Sequence, residues 1–185
     1  MMRDSGSHNG SAMIADLVDE YNRYRKIGEK ALAQTPARAL NVIHAPDGNS
    51  AAMIVAHMSG NLKSRFTDFL TTDGEKPWRN RDEEFENREC TRAEVGEMWN
   101  AGWSVLEAQL NALTDADLSR VVTIRGQPLS VHAALCRSSA HVAYHVGQLV
   151  LIARLTADTP WQWISIPKGD SIAYNADPKY EKGPR

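Results

Sequence analysis

Cysteine is nearly missing from this chain: Cys90 and Cys136 are the two it has in 185 residues. Two thiols so far apart make neither a disulfide framework nor a CxxC motif. No charge of one sign dominates, since 21 Lys and Arg face 23 Asp and Glu for a formal net charge of -2. The two signs alternate along the chain, as on an ordinary solvated surface. Nucleic-acid phosphates call for concentrated basic patches, and the sequence has none. Long apolar runs are lacking too. The longest, Val146 to Ala153, is interrupted by Gly147 and Gln148 and falls far short of the roughly 20 residues of a membrane span. The opening "MMRDSGSHNGSAM" has no apolar core of the kind a secretory signal needs. Internal repeats and low-complexity tracts are absent. These absences lead us to expect one soluble domain in a reducing cytoplasm, long enough to bury a core without disulfides or structural metal.

What is present is helical periodicity. Residues 1–10, rich in Ser, Gly and Asn, read as a disordered leader, and residues 11–185 as a single domain. Ile14, Leu17, Val18, Tyr21, Tyr24, Ile27 and Ala31 recur at helical spacing and predict a helix from about Ser11 to Gln34, ended by Pro36. The loop "HAPDGNS" offers Asn49 or Ser50 as a cap for a second helix from about Ala51 to Leu70. The connection "GEKPWRNRDEEFENREC" has the charge density of a surface loop, with Trp78 and Phe85 expected to pin it to the core. Thr91 and Glu94 form a T-x-x-E capping box for a third helix carrying Val95, Trp99, Gly102, Trp103, Leu106 and Leu110. "LTDADL" predicts a short turn or half-helix, and "VVTIRGQPLS" a brief hairpin around Arg125 and Gly126. A fourth helix is expected from Ser130 to near Leu155, followed from about residue 160 by an irregular tail with Trp161, Trp163, Tyr174 and Tyr180 packed across the bundle. Four amphipathic helices with almost no strand signal point to an all-α four-helix bundle, a fold that houses metal sites between facing helices.

The fourth helix raises a question. In "SSAHVAYHVGQLVLIAR", His141 and His145 stand four apart in an apolar run. Residues so spaced differ by about 40° around the axis and share one face. Ser138 and Gln148 lie on nearly the same stripe. Burying such a polar lane is costly unless each group finds a partner. Either a metal or a hydrogen-bonded core network would serve, and for an isolated HxxxH the network is the plainer answer. His57, however, sits in the apolar "AAMIVAHMSGNLKSRF", with Asn61 and Arg65 following at four-residue steps. Two helices with matching polar lanes in one small bundle are expected to face each other, which makes His57 the candidate for the third ligand that a pair of imidazoles lacks. His132 lies nine residues before His141, on the opposite side of the helix; His44 is in a loop and His8 in the leader. Cys136 is off the ligand face and expected to be a small buried apolar residue. Val142 follows His141, so the HExxH pattern of zinc proteases is not met.

From about residue 12 to 176 the chain resembles the DinB/YfiT-like superfamily of metal-binding four-helix bundles, closest to a domain-of-unknown-function subfamily. The resemblance is carried by "HMSGNLKSRFTDFLTTDGEKPWRNRDEEF", "HVAYHVGQLVLIAR" and "WISIPKGDSIAYN". The superfamily pattern of one histidine on the second helix and HxxxH on the fourth falls on His57, His141 and His145. The resemblance implies an up-down-down-up bundle, frequently a homodimer, holding zinc or nickel with solvent in open positions. It also implies an activity among those of relatives: S-transferases using low-molecular-weight thiols, a thiol-dependent isomerase, and metal-dependent hydrolases.

Three imidazoles with open coordination would lower the pKa of bound water to about 7 or deprotonate a coordinated thiol. No side chain is singled out as catalytic; the reacting group would be that water or thiolate. The all-nitrogen set suits zinc or nickel better than magnesium or calcium. Asn61, Arg65 and Gln148 are candidates to orient ligands or substrate, with plain structural hydrogen bonds as the alternative. Trp99 and Trp103 are expected in the core rather than in a pocket wall. Trp78, Arg79, Arg81 and Asp82 form a dense cluster that either closes over the site or pins the loop by salt bridges. The expected function is a thiol-dependent S-transferase acting on small electrophiles. A metal-dependent hydrolase and a non-catalytic metal-binding dimerisation or stress module are the alternatives.

Overall fold

The structure, a computed structural model, describes residues 13–179. The expected leader at 1–10, with His8, and Tyr180 of the tail lie outside the described residues. Five helices and one hairpin follow in order: α1 (Met13–Gln34), α2 (Ala51–Phe66), α3 (Arg92–Ala112), β1 (Val121–Ile124), β2 (Gln127–Ser130), α4 (Val131–Thr156) and α5 (Ser171–Ala176). Short 3-10 turns occupy Ala37–Ala39, Asp82–Phe85 and Asp115–Asp117, the last in the expected "LTDADL" turn.

Helix starts follow local chemistry. The first amide groups of a helix have no partner within it, so a side-chain oxygen just before the helix is stabilising. Ser50 accepts from the Met53 amide at 3.2 Å, and Ser130 from the Ala133 amide at 3.1 Å. Thr91 and Glu94 close the expected capping box, with the Thr91 amide donating to the Glu94 carboxylate at 2.7 Å. The end of α2 is earlier than its pattern predicts. Thr67 is extended and Asp68 enters the left-handed region at φ 48, which breaks the helix after Phe66 rather than at Leu70.

Cross-helix contacts set the directions. The Tyr21 hydroxyl donates to the Leu135 carbonyl, while Arg38, just past α1, pairs with Asp158, just past α4, so these two helices run parallel. Arg25 pairs with Glu107 while Gly28 abuts Trp99, so α3 runs against α1. His57 meets His141 while Arg65 and Phe66 share a cavity wall with Ala134 and Arg137, so α2 runs against α4. The bundle is therefore up-down-down-up. The parallel pair α2 and α3 packs closely at Gly102, where a Cβ would stand 2.7 Å from the Ser59 Cα. Trp99 and Trp103 lie in the core, with ring centroids 5.5 Å apart.

The two strands pair antiparallel, Val121 opposite Ser130 and Ile124 opposite Gln127. Arg125 and Gly126 both take positive φ in the intervening turn, the conformation that suits a two-residue hairpin loop. Asp73 bolts this turn to the segment after α2, accepting the Arg125 and Gly126 amides at 2.8 Å each. The tail crosses the end of the bundle, with Ile164 buried and Gln34 exchanging two hydrogen bonds with the Gln162 backbone. It is less irregular than expected, since Ser171–Ala176 is helical. Among the described residues no helix is long and apolar enough to cross a membrane.

Three expectations about burial are corrected. Trp78 does not anchor the α2–α3 connection; it is 56% exposed. That connection does not lie wholly on the surface either, because Lys76 and Glu84 are buried. Cys136 is exposed rather than buried, one turn from the exposed His132 and 3.4 Å from its Nε2. Helical geometry places the two on the solvent side, away from buried Leu135.

Candidate metal centre

α2 and α4 bring His57, His141 and His145 together inside the bundle. His57 and His145 are buried and His141 half-buried. Nε2 of His141 stands 3.1 Å from Nε2 of His57 and 3.1 Å from Nε2 of His145. One ring nitrogen from each lies within 4.8 Å of the others, and among the described residues this is the group of His, Cys, Asp or Glu side chains arranged to hold an ion.

The opposite ring nitrogens decide what these three can do. Nδ1 of His57 lies 2.9 Å from Oε2 of Glu84. That carboxylate takes two hydrogen bonds from Arg79, Nε to Oε1 and Nη2 to Oε2, both at 2.8 Å. Hydrogen bonding to Arg79 and His57 outweighs burial and holds Glu84 below its ordinary pKa, so it is ionised and can only accept. The ionised carboxylate therefore fixes a proton on Nδ1 of His57, so that a neutral His57 ring presents its lone pair at Nε2. On α4, Nδ1 of His145 donates to Oε1 of Gln148 at 2.8 Å, while the Gln148 amide nitrogen donates to the Tyr144 hydroxyl at 3.3 Å. His145 thus presents Nε2 as a lone pair as well. His141 is pushed down to about 3, first by burial and then by the neighbouring His145, His57, Arg79 and Arg65, so its ring is neutral. Burial also lowers His145, with Gln148 opposing.

A neutral His141 carries at most one proton on Nε2. It can then satisfy one of its two 3.1 Å neighbours, leaving two lone pairs facing each other at the second contact. A cation between the rings removes that conflict. Two nitrogens bound to one tetrahedral ion at about 2.0–2.1 Å stand roughly 3.3–3.4 Å apart, within a few tenths of an ångström of the two separations at His141. The donor set fits a divalent ion, with the Glu84 and Gln148 contacts fixing ring orientation as partners of ligating histidines do.

The other expected residues are distributed more widely. Gln148 meets the centre through His145. Asn61 and Arg65 line a cavity beside His141. Arg65 donates to the Gly74 carbonyl and lies 3.4 Å from Glu75, making no hydrogen bond to the three rings. Of the Trp78, Arg79, Arg81 and Asp82 cluster, Arg79 alone turns inward, so the loop is both pinned and brought over the site by one ion pair. Arg81 lies over the Phe85 ring at 4.9 Å, and Phe85 packs on His57 with centroids 4.5 Å apart. His44 and His132 are exposed and apart from the centre. Glu84 is the residue that sequence reasoning passed over. It is one of three consecutive acids in "DEEF" with no periodic signal to mark it, and the close approach of its carboxylate to Gly60 is a tertiary fact.

Residues 8–170 match the family described as "Protein of unknown function (DUF1572)". No curated protein matches the chain. Among solved structures, a DinB-like protein from Bacillus cereus ATCC 10987 is similar with a TM-score of 0.61 and 15% identity, over 80% of this chain and 95% of that one.

Proposed function

The chain belongs to the DUF1572 family and has the fold of a DinB-like protein, and from that premise we propose that it is a metal-dependent enzyme joining a low-molecular-weight thiol to small electrophiles. His57, His141 and His145 hold the ion in this reading. Glu84 and Gln148 orient two of those ligands, and Arg79 fixes Glu84. The observation that carries the reading is the pair of 3.1 Å Nε2–Nε2 contacts at His141, which a network of neutral rings cannot satisfy at once. The all-nitrogen donors favour zinc or nickel. Bound there, such an ion acts as a Lewis acid and favours the deprotonated form of a thiol.

Thiol transfer is preferred over hydrolysis because the superfamily that the chain resembles includes thiol-dependent S-transferases. Among the described residues no free carboxylate stands at the centre as a general base, since Glu84 is committed to Arg79 and His57, so on either route the ion would have to acidify the nucleophile. In the proposed reaction the S–H proton passes to solvent, a C–S bond forms at the electrophilic carbon, and the bond to its leaving group breaks with the electron pair on that group. The working unit in this reading is a homodimer, for which α4 offers the exposed Tyr144, Leu151 and Leu155.

The first test is elemental analysis of protein purified without a metal-affinity tag, expected to give one zinc or nickel per chain. Protein free of bound metal and unable to take it up would overturn the reading. On loaded protein, turnover of a model electrophile only with added thiol supports the transferase. Cleavage of activated esters without thiol supports a hydrolase instead. Neither activity above a His141→Ala control leaves a non-catalytic metal-binding module.

A further inference from the structure

We infer that the cavity beside His141 is a binding site for a small oxyanion, carboxylate or phosphonate, carried on an apolar body. The inference rests on the proposed centre for its link to catalysis, but binding of the anion itself requires only residues of the cavity. The cavity measures about 100 Å³, room for a short chain or for a ring that stays partly outside it. Its apolar side is made by Phe66 and Phe69, both buried with centroids 5.1 Å apart, and by Ile124 of the hairpin. Its polar side holds Asn61, Arg65 and Arg137, and no acidic residue lines it.

The two arginines differ in a way that points to a ligand. Arg65 is largely buried, and Nη1 is engaged with the Gly74 carbonyl. Its acidic neighbour Glu75, 3.4 Å away, is shared with Arg125 at 2.8 Å, so one carboxylate stands between two guanidinium groups. Arg137, exposed at the edge of the cavity, has no ion pair or hydrogen bond among the described residues and is free to meet a ligand there. A guanidinium is a planar fork of donors that matches carboxylate and phosphonate oxygens, and beside a low-dielectric wall its attraction is strengthened.

Arg137 and His141 are four residues apart on α4, one turn and about 6 Å of rise. A molecule with its oxyanion at Arg137 thus extends its far end toward His141 and the three rings. The substrate class that follows is a small organic acid whose electrophilic carbon lies a ring's width or a short chain from its anionic group.

The test is calorimetric titration of the full chain with phenylacetate, benzylphosphonate and the neutral phenylacetamide. It is run on protein of measured metal content and repeated after chelation. At least one anion should bind in both preparations, with phenylacetamide about tenfold weaker or more, as expected when a charged hydrogen bond is lost. The tighter of the two anions names the head group. Arg137→Gln, an exposed change that should leave the thermal midpoint unaltered, should weaken the anion by about tenfold and leave phenylacetamide unaffected. Arg65→Gln should weaken the same anion. Equal binding of acid and amide, or unchanged affinity in Arg137→Gln, overturns the inference, as does anion binding that vanishes on chelation. Anion binding that persists in protein unable to take up metal sinks the catalytic reading alone.

Discussion

Along α4, His141, His145 and Gln148 reach one face because a helix repeats its direction every three to four residues. In the connection between α2 and α3, Arg79 and Glu84 reach the same centre from a segment that repeats nothing. The helix contributes groups that can ligate; the connection contributes a buried ion pair that holds one of those groups in a single tautomer. A donor on a rigid rod is placed by backbone geometry alone. A charge on a loop must be drawn out of water, and that is favourable only where its partner already waits inside. Glu84 meets His57 inside and brings Arg79 with it from the same loop, which is why a stretch of dense charge turns inward here.

The contrast can be broken most completely at the ligands. His57→Ala, His141→Ala and His145→Ala should each abolish stoichiometric zinc or nickel uptake in elemental analysis, while His132→Ala keeps it. Equal uptake by all four variants would defeat the three-ligand assignment. Next in size is the ion pair of the connection. Arg79→Ala leaves Glu84 buried without its cation, and chemical denaturation should show a loss of about 3–5 kcal/mol.

Glu84→Gln keeps the shape but exchanges an obligate acceptor for an amide, and metal affinity should fall by about 10- to 100-fold. Gln148→Ala should act at the low end of that range, since it removes a neutral contact on a half-buried residue. A reversed order would mean that α4, not the connection, sets the orientation of the rings. Gly60→Ala sharpens the point from within a helix. By helix propensity alone it should stabilise by about 1 kcal/mol. Its Cβ, however, would stand 2.0 Å from Oε1 of Glu84. We expect a lowered thermal midpoint together with weakened metal uptake; a raised midpoint with unchanged uptake would show that the carboxylate moves aside freely.

The smallest effect concerns the hairpin at the cavity rim. Hydrogen bonds from the Glu75, Gly126 and Arg125 amides hold Asp73 below its ordinary pKa of 3.8. A carboxylate lowered in the folded state contributes its stability above the unfolded value and loses it as pH falls through the folded one. Protection of the Arg125 and Gly126 amides from exchange, relative to the intrinsic rate at each pH, should therefore be constant above about pH 4 and fall below it, with Asp73→Ala poorly protected throughout.

Much of this protein is legible in its order of residues. The caps at Ser50, Thr91 and Ser130, the turn at Arg125 and Gly126, and the polar lanes of α2 and α4 are all local signals, and each is found where its pattern predicts. The misreadings are of another kind. Trp78 looks like an anchor by type yet faces solvent, Cys136 looks apolar yet is exposed, and Glu84 looks like one of many surface acids yet is buried. Side-chain type states what burial would cost or gain, not whether the chain is folded so that burial occurs. The order of residues alone sets which helices form and which of their faces carry imidazole, because periodicity and capping act within a few residues. Which nitrogens face one another, and which loop charge holds them, was settled by the folded arrangement. Those outcomes depend on the packing of α2 against α4 and on the docking of Arg79 and Glu84, interactions between segments that no local pattern encodes.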